Sequence, residues 1–323
     1  MQNNLTKKEI DNLYKWGKKY FIKSLYLKEK LENIKELKIE HDKIDYLPKE
    51  IFKLANLESL YMGYDNLKEI PKDIGKLINL KNLAIGSYDV KIFPKEMFDL
   101  VNLEKLNIHC YGLEELPNEI SNFTKLEELT IWCRNLKNLP KGIGNLYNLN
   151  KLKIHSDDLE GLPSEIGNLI NLEIFEISDN KKLKELPKEI GNLIKLKEFT
   201  ILCWNLKNLL KEIGNLTNLK ALDIGSANLN KLPKEIGNLI KLEKLKLLIH
   251  YLKNIPKEIG NFTKLKELDI NCISLKEIPK EIANLNNLKN FNLTWRKNIN
   301  KLPKEILSLN KLKNMRVNHD FDR

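Results

Sequence analysis

Apolar residues recur along this chain with a period of 23 or 24 residues. In the repeat that begins at Leu57 they stand at repeat positions 1, 4, 6, 11, 14, 18 and 21, and the repeats on either side keep these places. A fixed period of this length is the signature of a solenoid. One repeat cannot bury its own apolar side chains, so stacked repeats share a continuous core.

The spacing within a repeat predicts its local structure. Positions 4 and 6 alternate with polar residues, which indicates a short strand with one buried face. All eleven prolines stand three residues before the apolar residue of position 18, and Leu210 takes the place of proline in one repeat. Proline cannot donate to a strand ladder, so this segment lies outside the strand. The apolar spacing of three after it predicts one turn of helix or 3₁₀ helix.

The pattern LxxLxI…LxxLPxxIxxL, seen from Leu57 to Leu77, resembles the leucine-rich repeat. The LPKEIGNL form resembles the group shared by Ras-scaffold-like proteins, plant disease-resistance-like proteins and many bacterial cytosolic proteins. This resemblance covers about residues 31–317. It implies an α/β solenoid of horseshoe shape, with a concave parallel β-sheet of about thirteen strands and short helical or 3₁₀ turns on the convex side. It also implies a binding scaffold, a function that the fold alone does not specify further.

Residues 1–30 lack the period and are predicted to form an N-terminal helical cap, followed by about 12–13 repeats in residues 31–323. Thr6 and Glu9 make a capping box, which predicts a helix from about residue 7 to 19. Residues 24–27 are predicted to form a short strand. The alternative is an amphipathic helix that binds a membrane or a partner, because this segment is rich in lysine.

The formal net charge is +11 and the isoelectric point is about 9.2. Such a charge is typical of proteins that bind nucleic acid or another anionic surface. It also fits a lysine-rich solvated exterior, because pairs such as Lys188 and Glu189 scatter both signs over the surface. No stretch interleaves aromatic residues with arginine, so nucleic acid is the less favoured partner.

The four cysteines share repeat position 8 and are Cys110, Cys133, Cys203 and Cys272. Strand alternation points this position inward, so we expect buried, reduced thiols. Serine occupies position 8 in other repeats. The period also assigns Asp179 to position 8 and Asn180 to position 9. Small polar side chains at this place can cap buried backbone groups. A Cys110–Cys133 disulfide and a metal or redox site remain the alternatives.

No paired carboxylates, Ser/His/Asp set, glycine-rich phosphate loop or metal-ligand spacing stands out from the repeat pattern. We therefore expect no catalytic site, no metal and no cofactor. The chain has no apolar run long enough to span a membrane, and its polar first residues lead us to expect no signal peptide. The expected location is the cytoplasm, with export by a signal-less route left open.

Positions 3, 5 and 7 are expected to face outward on the concave sheet, with positions 9 and 10 on its rim. Tyrosine, tryptophan and arginine are enriched at interface hot spots, and their density here is highest in the N-terminal half. The predicted partner-binding residues are Tyr61, Tyr88, His109, Tyr111, Trp132, Arg134 and Lys153. The partner is expected to be a protein of unknown identity, and the alternative is that these exposed rings have no function.

The C-terminus, from His319 to Arg323, shows no second cap. An open strand edge invites pairing with another chain. We expect the polar tail to cover this edge and the protein to be a monomer, with a dimer through the last strand as the alternative.

Overall fold

The structure is a computed structural model that describes residues 5–41, 44, 46–63, 67–295 and 303–319. Its contacts divide the chain into two compact units, an N-terminal unit, Met1–Ile154, and a C-terminal unit, His155–Arg323. Each unit is described below by itself.

The N-terminal unit begins with helix α1 (Lys7–Lys19) and continues as parallel strands that pair in chain order. The strands are β1 (Glu36–Ile39), β2 (Ser59–Gly63), β3 (Asn82–Ser87), β4 (Lys105–Cys110), β5 (Glu128–Trp132) and β6 (Lys151–His155). The 3₁₀ turns are Lys23–Leu25, Lys28–Asn33, Lys49–Lys53, Lys72–Lys76, Lys95–Asp99, Asn118–Asn122 and Lys141–Asn145.

The C-terminal unit repeats the same alternation of parallel strand and 3₁₀ turn. Its strands are β7 (Ile174–Asn180), β8 (Glu198–Cys203), β9 (Ala221–Ser226), β10 (Lys244–Ile249), β11 (Glu267–Asn271), β12 (Asn290–Trp295) and β13 (Asn314–His319). Its 3₁₀ turns are Ser164–Asn168, Lys188–Asn192, Lys211–Asn215, Lys234–Asn238, Lys257–Asn261, Lys280–Asn284 and Lys304–Ser308.

The strand register explains how the period builds a core. Residues of equal repeat position lie side by side, so Leu60 pairs with Leu83 and Leu83 with Leu106. All three leucines are at most 1% exposed. A proline directly precedes most of these 3₁₀ turns, as Pro71 does with φ −61° and ψ 136°, and Leu210 takes its place before Lys211–Asn215. The parallel strands and 3₁₀ turns confirm the predicted fold class.

Helix α1 begins as its capping box predicts. The Thr6 side chain accepts a hydrogen bond from the Glu9 N–H, and the Glu9 carboxylate accepts one from the Thr6 N–H. Leu13 and Trp16 on the inner face of the helix are buried. The helix packs on the 3₁₀ turns before and after β1, as a cap would. The domain boundary at residue 30 remains a prediction.

The predicted strand at residues 24–27 is wrong. Phe21 has a positive φ of 56°, which turns the chain, and Lys23–Leu25 then forms a 3₁₀ turn. Leu25 packs so close to Gly17 that a Cβ on Gly17 would lie 2.5 Å from the Leu25 Cβ. Leu27, which the strand would have buried with Leu25, is 48% exposed. The contact between α1 and this turn determines the conformation of residues 21–27. The local alternation of apolar residues does not reveal that contact.

Asparagines link successive repeats from the position directly before the first leucine of a repeat. Each of these amides donates a hydrogen bond of 2.6–2.9 Å to a backbone carbonyl 24 residues earlier. Where lysine takes this place, as Lys125 and Lys241 do, its ammonium donates instead to the side-chain oxygen of an asparagine one repeat earlier. The asparagines with backbone acceptors are Asn56, Asn79, Asn102, Asn148, Asn218 and Asn287.

In the C-terminal unit, β13 pairs with β12 on one side and ends the order of the strands. Met315 and Val317 on this strand are 39% and 40% exposed. Residues 320–323 lie outside the described residues. The predicted cover by the tail, and the alternative of a dimer at this edge, therefore stay predictions.

Candidate partner-binding surface

The strands of the N-terminal unit present one polar face, as the alternation predicts. On β4 the buried residues are Leu106, Ile108 and Cys110, while Lys105 and His109 are exposed. This alternation places the side chains of repeat positions 3, 5 and 7 on the outward face of the sheet. The predicted site residues of these positions therefore lie on a common surface.

Two rings stack near the ends of neighbouring strands. The His109 ring of β4 lies against the Trp132 ring of β5, with centroids 5.3 Å apart and planes inclined by 24°. Trp132 is 41% exposed, so one face of the pair remains accessible to solvent. A stacked pair holds each ring in place, which lowers the entropy lost when a partner packs on it.

A second cluster lies directly after strands β3 to β5. The Tyr88 and Tyr111 rings have centroids 5.0 Å apart, and the Arg134 guanidinium carbon lies 4.8 Å from the Tyr111 ring centroid. Tyr88 is 55% exposed and Arg134 is exposed. Cation–π contact and ring packing orient both groups. Together with His109 and Trp132, these three residues form what we call the aromatic patch.

Tyr61 and Lys153 lie on the same face but flank the aromatic patch. Tyr61 of β2 is half-buried, with the Lys38 ammonium 5.2 Å from its ring centroid. Lys153 lies on β6, at the same repeat position as Tyr61. The equivalent residues of β3, β4 and β5 are the smaller Ala84, Asn107 and Thr130. The five aromatic-patch residues are thus brought together in contacting groups, and the two flanking residues contribute a separate tyrosine and a separate lysine.

Paired charges border the patch on the same face. The Lys105 ammonium of β4 pairs with Glu128 of β5 at 2.5 Å, and Lys151 of β6 approaches the same carboxylate at 3.4 Å. The hydrogen bond from Lys105 is the main cause that holds the pKa of Glu128 below its ordinary value. The lysines next to the patch therefore have acidic partners, and the face carries both signs of charge.

The four cysteines are buried free thiols, as predicted. The Cys272 thiol lies 3.8 Å from the Leu247 carbonyl oxygen. Burial raises the pKa of the Cys133, Cys203 and Cys272 thiols to about 12. Burial also raises the pKa of the Cys110 thiol. Thiols in this state are poor nucleophiles and poor metal ligands.

The prediction that Asp179 occupies the inward position 8 is wrong. Asp179 adopts a positive φ of 57° in a bulge of β7, and Asn180 takes the buried place opposite Cys203. The reason is the extra residue of this 24-residue repeat, which shifts the inward side chain by one. The repeat length is the sequence signal that indicates the bulge.

The bulge creates a polar cluster that the sequence reasoning missed. The Ser178 hydroxyl is hydrogen-bonded to His155 Nδ1, and Asp179 Oδ2 lies 3.4 Å from the same nitrogen. Glu176 Oε1 lies 3.6 Å from His155 Nε2. Ser178 is only 3% exposed, so its hydroxyl is not presented to a substrate as a nucleophile is. The cluster binds His155 to the bulge of β7 within the C-terminal unit.

No group of three or more histidine, cysteine, aspartate or glutamate side chains among the described residues has an arrangement that holds a metal ion. In the same part of the chain, no helix is long and apolar enough to cross a membrane.

Comparison with known proteins relates the chain to one family. A family model described as a leucine-rich repeat region matches residues 23–139 and 106–211, which together span more than half of the chain. A comparison with curated proteins finds no match.

Solved structures with the same fold come from several sources. An internalin (inlF) of Listeria monocytogenes is 22% identical, with a TM-score of 0.61 over 91% of this chain and 89% of that chain. The leucine-rich repeat domain of the type III effector XopL is 26% identical, with a TM-score of 0.50 over 70% and 72%. The plant peptide hormone receptor RGFR1, solved in complex with RGF2, is 24% identical with a TM-score of 0.56, and the match covers 90% of this chain and 56% of the receptor.

Proposed function

The chain belongs to the leucine-rich repeat family, and from this premise we propose that it is a non-catalytic scaffold that binds a protein partner through the outward face of strands β2–β6. The leucine-rich repeat fold is typical of protein–protein interaction domains. The proposed contact residues are the aromatic patch with Tyr61 and Lys153 at its sides. The partner packs on exposed rings that are already held in place, and Arg134 supplies donors at the rim.

The observation that carries this proposal is the pair of ring contacts at the ends of neighbouring strands. His109 stacks on Trp132, and Tyr111 packs between Tyr88 and Arg134. None of these five residues belongs to the apolar core, so folding does not require rings at these places. Exposed tryptophan, tyrosine and arginine in contact with one another are the residue types that dominate binding energy at interfaces.

The experiment that tests the proposal is affinity capture with the full chain, followed by mass spectrometry. A partner captured by the wild-type chain should be lost by the Trp132→Ala, Arg134→Ala double variant. Truncation of such anchors costs about 2 kcal/mol or more each. The matched control is Trp204→Ala, which removes an exposed tryptophan, 45% accessible, from the C-terminal unit. Retention by the double variant together with loss by Trp204→Ala contradicts the proposed site.

Binding to nucleic acid or another anionic surface is the second candidate, which the net charge of +11 favours. Many surface lysines pair with glutamates of neighbouring repeats, as Lys81 does with Glu58 and Lys266 with Glu243. Such pairing leaves less uncompensated charge for phosphate groups. A salt titration separates the candidates, since phosphate binding weakens about 10³- to 10⁵-fold between 50 and 200 mM salt for six to ten contacts.

A cytoplasmic location is part of the proposal. The four cysteines are free thiols even though Cys110 and Cys133 lie on neighbouring repeats. Reduced thiols are typical of the cytoplasm. Cell fractionation of the natural source tests this location, and recovery of the protein outside the cytoplasm contradicts it.

A further inference from the structure

A groove of about 600 Å³ crosses the outward face of the C-terminal unit. Its lining includes the outward side chains of strands β8 to β13. The residues at its centre share one repeat position and pair across the strands in the order Thr200, Asp223, Lys246, Asp269, Asn292 and Arg316. The groove therefore presents a row of polar groups that differs in chemistry from the aromatic patch.

In the run Asp223, Lys246 and Asp269 of this row, two carboxylates flank one ammonium, and Arg316 stands two strands beyond Asp269. Lys246 lies between Asp223 and Asp269, and its ammonium is 3.7 Å from Asp223 Oδ2. One lysine thus stands between two aspartates in the register of the sheet, and its ammonium contacts Asp223. The nearby Lys244 pairs with Glu267 at 3.0 Å, so its charge is already matched.

Asp223 has an acceptor oxygen that the described protein does not use. Its Oδ1 is buried and has no hydrogen-bond partner among the described residues, although the side chain as a whole keeps 27% exposure. Burial raises the pKa of the Asp223 carboxyl, Lys246 opposes this rise, and Asp269 and Glu176 add to it. A buried acceptor without a donor destabilises a fold. Unsatisfied buried polar groups are few in native structures, and each calls for a physical or functional explanation.

We propose that this groove binds an arginine side chain of a protein partner, with the Asp223 carboxylate as its acceptor. The planar guanidinium donates two parallel hydrogen bonds to a carboxylate, which supplies the donor that Oδ1 lacks. A partial rotation of the carboxylate about its soft Cβ–Cγ torsion presents both oxygens to the groove, so that one guanidinium reaches them together. Lys246 then pairs with Asp269 on its other side, so both carboxylates gain a cation.

This inference concerns a site apart from the aromatic patch, and it shares with the proposed function only the premise that the partner is a protein. The test uses a phage-displayed library of random dodecapeptides selected on the full chain. We expect arginine to be enriched at one place in the selected peptides. A selected synthetic peptide should bind at least 10-fold more weakly when citrulline, which is neutral and nearly isosteric, replaces that arginine.

Variants of the chain locate the site. Asp223→Asn should weaken the selected peptide at least 10-fold, whereas Asp99→Asn, the same change on an exposed turn of the N-terminal unit, should leave binding unchanged. The Trp132→Ala, Arg134→Ala double variant should also bind the peptide normally, which separates this site from the proposed function. Selected peptides without a basic preference, equal binding by Asp223→Asn, or loss of binding in the double variant would overturn the inference.

Thermal unfolding without peptide supplies an independent readout. Because Asp223 is incompletely paired in the free chain, Asp223→Asn should keep the wild-type Tm or raise it. If Asp223 served only to stabilise the fold, Asp223→Asn would have a lower Tm than wild type. That result would contradict a binding role. The citrulline comparison needs no protein variant, so the inference stays testable if Asp223→Asn does not fold.

Discussion

Asn180 of β7 lies directly opposite Cys203 of β8 in the register of the sheet, and both side chains are fully buried. The asparagine satisfies four backbone groups. Its Nδ2 donates to the Ser156 and Leu159 carbonyl oxygens at 2.8 and 2.9 Å, and its Oδ1 accepts from the N–H groups of Lys182 and Leu183 at 3.1 and 2.6 Å. The thiol at the same place in other repeats makes only a weak contact, so Asn180 connects its repeat to the preceding one more firmly than a cysteine does.

Asn180→Ala should destabilise the protein by about 2–3 kcal/mol, because it leaves buried backbone groups without partners. The measurement is urea unfolding followed by circular dichroism. Asn205→Ala is the control, since Asn205 is an exposed asparagine that donates to the Lys181 carbonyl oxygen and accepts from the exposed Asn228 amide. A similar loss in both variants contradicts a special role for Asn180.

Leu210→Pro should be neutral or should stabilise the protein by up to about 1 kcal/mol, because proline restricts the unfolded chain. Leu210 has φ −73° and ψ 151°, close to the values of −67° and 144° at Pro233. Thermal unfolding checks the change. Leu206→Pro is the control and should destabilise strongly, because it removes the N–H that donates to Cys203 at 3.1 Å. A clear fall in Tm for Leu210→Pro would show that this turn differs from its neighbours.

The native cysteines should react slowly with maleimide at pH 8 and rapidly after denaturation. All four are buried, and burial raises their pKa values, to about 12 for Cys203 and Cys272. Mass spectrometry counts the labels over time. Ser24→Cys adds one exposed thiol as a positive control for reactivity. Fast labelling of Cys110 or Cys133 in the native chain would place repeat position 8 at the surface.

Acid should weaken the attachment of helix α1. The hydrogen bond from Lys53, together with that from Thr6, lowers the pKa of Glu9 from 4.5 to about 2. A carboxyl with a depressed pKa in the fold stabilises it above the unfolded pKa and loses this contribution as the pH falls through the folded value. We therefore expect the stability that depends on Glu9 to disappear between about pH 5 and pH 2.

Glu9→Gln tests this expectation. The variant should be less stable than wild type at pH 7 and equally stable near pH 2, as measured by urea unfolding at each pH. Glu29→Gln, an exposed glutamate on the next turn, is the control and should follow wild type throughout. A constant difference between Glu9→Gln and wild type over this range would contradict the role of the charge.

The repeat period and local signals predicted most of the fold. The capping box of Thr6 and Glu9 is complete within four residues, so the predicted helix at 7–19 agrees with Lys7–Lys19. The segment at residues 24–27 and the exchange of Asp179 for Asn180 were predicted wrongly. In the first case the contact of Leu25 with helix α1 decides the structure, and in the second case the added residue of the repeat does. The alternation of apolar and polar residues along a strand carries information on neither.

The candidate site was predictable as a set of outward positions but not as groups of contacts. Alternation along β4 and β5 places His109 and Trp132 outward, whereas the stacking of their rings depends on side-chain torsions. The Asp223 groove was not predicted, because no local signal shows that an aspartate oxygen will be buried without a partner. Binding by the aromatic patch remains a prediction.

The asparagine links give the array a direction. Each donor reaches back to a carbonyl in the repeat before it, as Asn102 does to Ile78 and Asn218 does to Ile194. A chain that leaves the ribosome from its N-terminus always presents the acceptor before the donor arrives. Each new repeat can therefore attach to a finished surface as soon as it emerges. Loss of the last repeats removes the donors of these asparagine links and leaves their acceptor carbonyls to water, so synthesis interrupted late leaves the earlier asparagine links intact.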